Sequence, residues 1–258
     1  MATVQVTDSP ENLDRMPITY QDAVQEGIPL RWPRWGIWDA VIAIVGFMAL
    51  TAVVAVPLYL TDAPVAVVVL VGGTVPWLML AGWPIFITWR RGNGVRIDLG
   101  VILRWSDVGW GLVFGIAGLF LAGIGAVITM AIVGDFNSAA GEAAQVLVDS
   151  SPFAAVFTFA VVIAVGAPIV EELAFRGLLF GSLAKRGIKP LWVVVITALV
   201  FSLFHLEPTR ILVLLPIGIT LGLARWKTRG LGAPMIAHTL NNLPAAVFLL
   251  IGAPEVTP

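Results

Sequence analysis

Long apolar runs separated by short polar connections dominate this chain. Several of these runs extend for roughly 20 residues or more without any Asp, Glu, Lys or Arg. Because about 20 apolar residues are enough to cross a bilayer as a helix, the pattern predicts an all-α polytopic membrane protein with about seven transmembrane helices. The predicted helices cover residues 37–60, 64–89, 108–133, 152–183, 190–205, 211–225 and 234–251.

Two polar stretches interrupt this pattern. Residues 1–35 are polar and acid-rich at their start, which predicts a flexible cytoplasmic tail before a membrane domain at residues 36–254. The segment from Asn137 to Ser151 has the pattern of a short amphipathic helix. It could serve as a lid or substrate guide, and the alternative is an ordinary surface connection.

The basic residues predict an orientation. Lys and Arg cluster before the first predicted helix and after the second, fourth and sixth, whereas the loops on the other side hold only acids. Arg210 is the one exception. Since cytoplasmic loops carry the excess of basic residues, we expect a cytoplasmic N-terminus and an external C-terminus, in the plasma membrane of a bacterium.

Composition narrows the choice of function. The chain is 59% hydrophobic and only 12% charged, and soluble domains have about twice that charge density. Its net charge of -1 predicts no nucleic-acid partner. The absence of cysteine excludes disulfides and thiolate chemistry. Membrane lipid is the first expected partner.

Three charges nevertheless lie inside the fourth apolar run, in "IVEELAFRGLLF". Glu172 and Arg176 are four residues apart, so they share a helix face and can form a supporting ion pair. Glu171 lies about 100° around the helix and can face an interior pocket. A carboxyl in a site of low dielectric constant suits a general base. Charges within a membrane helix are costly and therefore indicate function.

Two later segments add polar groups on membrane helices. Phe201 and His205 share one helix face, as do His238 and Asn242, and these two histidines are the only ones in the chain. An imidazole and a carboxamide on one face can donate N–H groups to a developing oxyanion. Each residue taken alone could instead be an interhelical hydrogen bonder. Together with Glu171, they favour a buried polar active site.

A metal is not required by this set of residues. Glu171, His205 and His238 could bind zinc, but no H-E-x-x-H motif occurs and no cofactor is certain. A Ser–His–Asp site is less favoured because no intramembrane Asp is available to orient a base.

The three motifs together resemble the CPBP family (CAAX protease and bacteriocin-processing, also called Abi), which contains CAAX-prenyl-protease-2-like enzymes. The family signature E-E-x-x-x-R, F-x-x-x-H and H-x-x-x-N matches "EELAFR", "FSLFH" and "HTLNN", in that order, within residues 152–250. The resemblance implies an intramembrane endopeptidase in which Glu171 and His205 activate a water. His238 and Asn242 would then form the oxyanion hole, with Glu172, Arg176 and Phe201 as structural support.

The resemblance also implies a peptide or protein substrate, which could be lipidated as in CAAX processing. Two alternatives remain: a non-catalytic immunity or scaffold protein on the same fold, and a transporter, which the absence of an internal repeat disfavours. Straight helices would separate His205 from His238 by about 15 Å along the membrane normal. We therefore expect the fifth and sixth segments to span incompletely, or some helices to be broken or tilted.

Overall fold

The computed structural model describes residues 14–252, and within this range the chain forms ten helices and no strand. The helices are α1 (Ile18–Gln25), α2 (Ile37–Leu60), α3 (Val65–Arg91), α4 (Val95–Leu99), α5 (Trp105–Val133), α6 (Ala139–Ser150), α7 (Phe153–Lys185), α8 (Pro190–Phe204), α9 (Ile211–Thr228) and α10 (Gly232–Gly252).

Six helices in the described range are long and apolar enough to cross a membrane: α2, α3, α5, α7, α9 with its preceding 3-10 turn, and α10. The predicted all-α membrane architecture is confirmed. The fifth predicted helix, α8, has only 15 residues, fewer than the roughly 20 that a complete crossing needs. The expectation that this segment spans incompletely therefore agrees with its length.

The interior of the bundle depends on a stripe of small residues along α5. This helix packs along α9 and α10, and its buried contact residues recur at intervals of three and four positions. They are Gly111, Gly115, Gly118, Ala122 and Gly125. A Cβ at Gly125 would overlap the backbone of Leu212. Small residues at these positions let the helix backbones approach closely, which is how membrane helices gain packing energy.

Helix α7 is not a regular α-helix along its whole length. It contains two π-helical stretches, Val162–Gly166 and Leu173–Leu179, on either side of the two glutamates. Each stretch has a backbone carbonyl that accepts a hydrogen bond from another helix. Asn242 of α10 donates to Ile163 O, and Arg225 of α9 donates to Arg176 O. The π turns thus help to dock α7 against both neighbours.

The N-terminal segment differs from the predicted flexible tail wherever it is described. Helix α1 packs on α4, and a small apolar cluster holds it there. Within the cluster the side chain of Tyr20 is fully buried. Thr19 also donates to Ile97 O at 3.0 Å. Met16, Tyr20 and Ala23 have the spacing of an apolar helix face. The polar composition of the segment made this pattern hard to recognise. Residues 1–13 lie outside the described range.

A buried carboxylate anchors the following strap, residues 31–36, to the bundle. Asp98 accepts hydrogen bonds from Trp35 Nε1 and from both the backbone and side-chain nitrogens of Asn93. Burial raises the pKa of Asp98, although these hydrogen bonds oppose that rise. Lys185, at the end of α7, donates to Trp35 O at 2.6 Å and lies 3.4 Å from the Trp35 ring centroid. The strap is therefore joined to the helix that carries the glutamates.

Helix α6 confirms the predicted amphipathic segment. Ser138 Oγ accepts a hydrogen bond from Gly141 N and so caps its start. Leu147 is completely buried against α7 and α10, whereas Val146 is exposed. The role of a lid stays a prediction.

Candidate active site

The two glutamates of α7 occupy different environments. Glu172 has a fully buried side chain, and its Oε1 lies 2.8 Å from Arg176 Nη1 and 2.9 Å from His238 Nδ1. Arg176, also fully buried, donates in addition to Gly218 O of α9. Glu172 therefore pairs with Arg176 as predicted, but it also orients His238, which the sequence did not indicate.

Glu171 is the accessible glutamate. Its side chain retains 15% of its exposure, and its Oε2 lies 3.8 Å from His238 Nε2, beyond hydrogen-bonding distance. This oxygen is itself buried and has no hydrogen-bond partner among residues 14–252. Buried polar atoms are normally paired, and Glu172 Oε2 is also unpaired within this range. The partial exposure of Glu171 is what distinguishes it as the acceptor for a water or a substrate proton.

His205 is held in one tautomer by its own helix. Its Nδ1 lies 2.8 Å from Phe201 O. A carbonyl oxygen can only accept, so Nδ1 of the neutral ring carries the proton and Nε2 is the acceptor. The position at the end of α8 makes this contact geometrically natural, because residue 201 is one helical turn earlier. The helix therefore occupies Nδ1 of His205 and leaves Nε2 as the acceptor nitrogen.

Phe201 brings the two imidazoles into one cluster. Its ring centroid lies 4.8 Å from that of His205 and 5.6 Å from that of His238, and both pairs are edge-to-face. The guanidinium of Arg176 covers the same ring at 4.5 Å. The two histidines therefore lie in one cluster, despite the separation expected from straight helices.

Asn242 contacts the first π-helical stretch of α7, whereas Arg176 lies in the second. Its Nδ2 donates to Ile163 O at 2.9 Å, which is the interhelical role considered for it above. One of the two amide hydrogens remains for another acceptor. Asn241 instead donates to Ala237 O and contacts the Gly118 region of α5.

Burial divides the seven candidate residues into two groups. Glu171, His205 and Asn242 are partly exposed. The other four are buried, namely Glu172, Arg176, Phe201 and His238. The first group is the more accessible one, and the second group is packed behind it. His238 was predicted to bind an oxyanion, yet both of its nitrogens face carboxylates.

The candidate metal ligands do not form a recognisable metal-binding cluster. Glu171, His205 and His238 were the candidate zinc ligands, but residues 14–252 contain no group of three or more His, Asp or Glu side chains arranged to hold one. His238 Nδ1 is bonded to Glu172 and His205 Nδ1 to a carbonyl, so Nε2 is the ring nitrogen that each histidine could offer to a metal. We derive no step through a metal.

Two supporting residues escaped the sequence reasoning. Arg225 of α9 is buried and donates from Nε to Arg176 O, and Gly218 O receives the Arg176 guanidinium. A buried arginine inside an apolar helix was the available signal for Arg225. Nothing in the local sequence marks Gly218, since its contribution is a backbone carbonyl.

Comparison with known proteins assigns the same part of the chain to a family. Residues 153–244 match the family described as type II CAAX prenyl endopeptidase Rce1-like. This segment is therefore similar to that family. It contains all three motifs, and the predicted resemblance to the CPBP family is confirmed.

A relative supports the same assignment. The Bacillus subtilis (strain 168) protein named "Putative membrane peptidase YdiL" is 27% identical over 150 residues. The match covers 58% of this chain and spans 57% of the relative's length. No solved structure matches the chain.

Proposed function

We propose that the protein is an intramembrane endopeptidase in which Glu171 is the general base. The observation that carries the proposal is the unpaired, buried Oε2 of a partly exposed Glu171, inside a membrane helix and beside His238. An ionisable group without a partner at this depth is costly unless it has a function. The Rce1-like match and the relative's name support peptide hydrolysis as that function.

The proposed reaction begins with a water between Glu171 and His205. Glu171 accepts one proton from the water, while Nε2 of His205 accepts a hydrogen bond from its other O–H. The oxygen attacks the peptide carbonyl carbon, and the carbonyl becomes an oxyanion. Glu171 then returns the proton to the leaving nitrogen as the C–N bond breaks. The products are a carboxylic acid and an amine, so the atoms of water and peptide are conserved.

The oxyanion would be stabilised by two N–H donors. The second amide hydrogen of Asn242 is one, and Nε2 of His238 is the other if this nitrogen carries a proton in addition to the one on Nδ1. Donors in a site that excludes water contribute more than they would in solution, so losing one commonly lowers the rate by about 10² to 10³. Glu172, Arg176 and Phe201 would keep His238 in place.

The substrates to assay first are peptides ending in a CAAX sequence, because the family description names them. Prenylated and unprenylated versions of one peptide would show whether a lipid is required. The assay uses the full chain in proteoliposomes and water labelled with ¹⁸O. Incorporation of the label into the new carboxyl terminus, read by mass spectrometry, identifies hydrolysis.

The decisive variant is Glu171→Gln, with Glu142→Gln as its matched control on the exposed face of α6. We expect Glu142→Gln to cleave at the wild-type rate and Glu171→Gln to lose at least about 10² in rate. Thermal unfolding in detergent checks that both variants fold. A folded Glu171→Gln protein with the wild-type cleavage rate would refute the role of Glu171.

A further inference from the structure

A cavity lies at the C-terminal end of α3, and neither glutamate of α7 lines it. It has a volume of about 610 Å³ and lies between the N-terminal strap, the end of α3 and α4. Its walls combine apolar side chains with two arginines. The lining residues include Ile28, Leu30, Arg31, Trp89, Arg90 and Ile97.

The two arginines give the cavity an uncompensated positive charge. Arg31 and Arg90 are exposed, and neither guanidinium takes part in an ion pair with residues 14–252. The nearby acid, Asp98, is fully buried and already accepts hydrogen bonds from Trp35 and Asn93. Two arginines that line one concave site can offer forked N–H donors, which suit the oxygens of a phosphate group.

The backbone around this charge is held in place. Asn93 joins the strap to the end of α3, because its side-chain oxygen accepts from Arg31 N and its side-chain nitrogen donates to Arg31 O, both at 2.8 Å. Asn93 also donates to Asp98. The two cavity walls are therefore fixed relative to each other, which lowers the entropy cost of binding a ligand between them.

Aromatic side chains along α3 lead to the cavity. Trp83, Phe86 and Trp89 form a ladder of neighbouring rings along this helix, with centroids 5.7 and 6.4 Å apart. The last of these, Trp89, is 69% exposed and lines the cavity. Tryptophan next to arginine at the end of a membrane helix is typical of the headgroup level of a bilayer. An acyl chain could follow the ladder while its headgroup occupies the cavity.

We propose that this cavity binds the phosphate headgroup of an anionic lipid, with Arg31 and Arg90 as the phosphate ligands and Trp89 packing on the start of the acyl chain. Basic pockets near the cytoplasmic ends of membrane helices have the chemistry for such headgroups. The site is separate from the proposed catalytic residues. It uses none of their side chains.

The test measures lipid binding to the full chain in a neutral detergent by native mass spectrometry. The probes are dioleoyl phosphatidylglycerol, dioleoyl phosphatidylcholine, glycerol phosphate and inorganic phosphate, at an ionic strength of about 0.15 M to screen distant charges. The site variant is Arg31→Gln/Arg90→Gln. The control variant, Arg34→Gln/Arg91→Gln, removes two exposed arginines that do not line the cavity.

We expect phosphatidylglycerol to bind at least tenfold more tightly than phosphatidylcholine, and the site variant to weaken it by about tenfold. The control should weaken it by less than about threefold, because surface charges are screened. Equal losses in both variants would overturn the proposal, since net charge alone would then explain binding. Binding of glycerol phosphate or inorganic phosphate as tight as that of the lipid would also overturn it, in favour of a soluble anion.

Discussion

The buried ion pair of α7 allows a quantitative prediction for Arg176→Met. Arg176 donates to Glu172 Oε1 at 2.8 Å and to Gly218 O at 3.1 Å, and both charged side chains are fully buried. Methionine fills much of the same space but leaves Glu172 with only His238 as a hydrogen-bond partner among residues 14–252. Removing one member of a buried pair costs about 3–5 kcal/mol, mostly because the remaining charge is uncompensated.

This cost corresponds to a large shift in melting temperature. At about 2–4 °C per kcal/mol for a chain of this size, Arg176→Met should lower the melting temperature by about 6–20 °C. The double variant Glu172→Gln/Arg176→Met should recover part of that loss, because the neutral amide replaces the uncompensated carboxylate and can still accept a hydrogen bond from His238.

The assay is thermal unfolding in one detergent, followed by tryptophan fluorescence. Arg186→Met is the control, because Arg186 is exposed at the end of the same helix, and it should change stability by less than about 0.5 kcal/mol. The reasoning would be refuted if the melting temperature of Arg176→Met were within about 2 °C of the wild-type value. It would also be refuted if the double variant were less stable than the single one.

Three further predictions test the packing, the amide and the anchored strap. Gly125→Val should prevent stable folding, measured as loss of monodisperse protein in detergent, because its side chain would overlap the backbone of Leu212. Asn242→Ala should destabilise the protein by about 1 kcal/mol, because it loses the hydrogen bond to Ile163 O. The cleavage rate of this variant should also fall by about 10² to 10³. A wild-type cleavage rate would contradict the oxyanion role of Asn242. Burial raises the pKa of Asp98, so its stabilising contribution is present below its unfolded pKa and lost as the pH rises through the folded pKa. Melting temperatures of Asp98→Asn should therefore depend less on pH than those of the wild type, and an unchanged pH profile would contradict this.

The candidate site residues could be selected from the sequence because ionisable side chains are rare in their surroundings. In a chain that is 59% hydrophobic, Glu171, His205 and His238 are conspicuous on apolar helices. Helical spacing alone also placed Glu172 with Arg176, and the structure has that pair. Helical spacing could not show that His238 joins this pair, because His238 and Glu172 are 66 residues apart in the chain.

The flexible tail predicted for residues 1–35 shows where composition is misleading. Residues 18–25 are polar on average, yet they form a helix with Tyr20 fully buried. A short amphipathic helix needs only one apolar side, and the rest of its surface remains polar. The partner of that side, α4, is almost 80 residues away in sequence, so local patterning does not identify it.

The membrane class, the approximate helix bounds and the identity of the polar residues follow from local patterning, because hydrophobic length and side-chain chemistry are local properties. The accessibility of Glu171, the tautomer of His205 and the meeting of the two imidazoles follow from three-dimensional packing instead. Those features depend on the π turns of α7, the shortness of α8 and the close approach of helices at the glycines of α5. Packing between segments that are distant in sequence sets these features, so the sequence of any one segment does not reveal them.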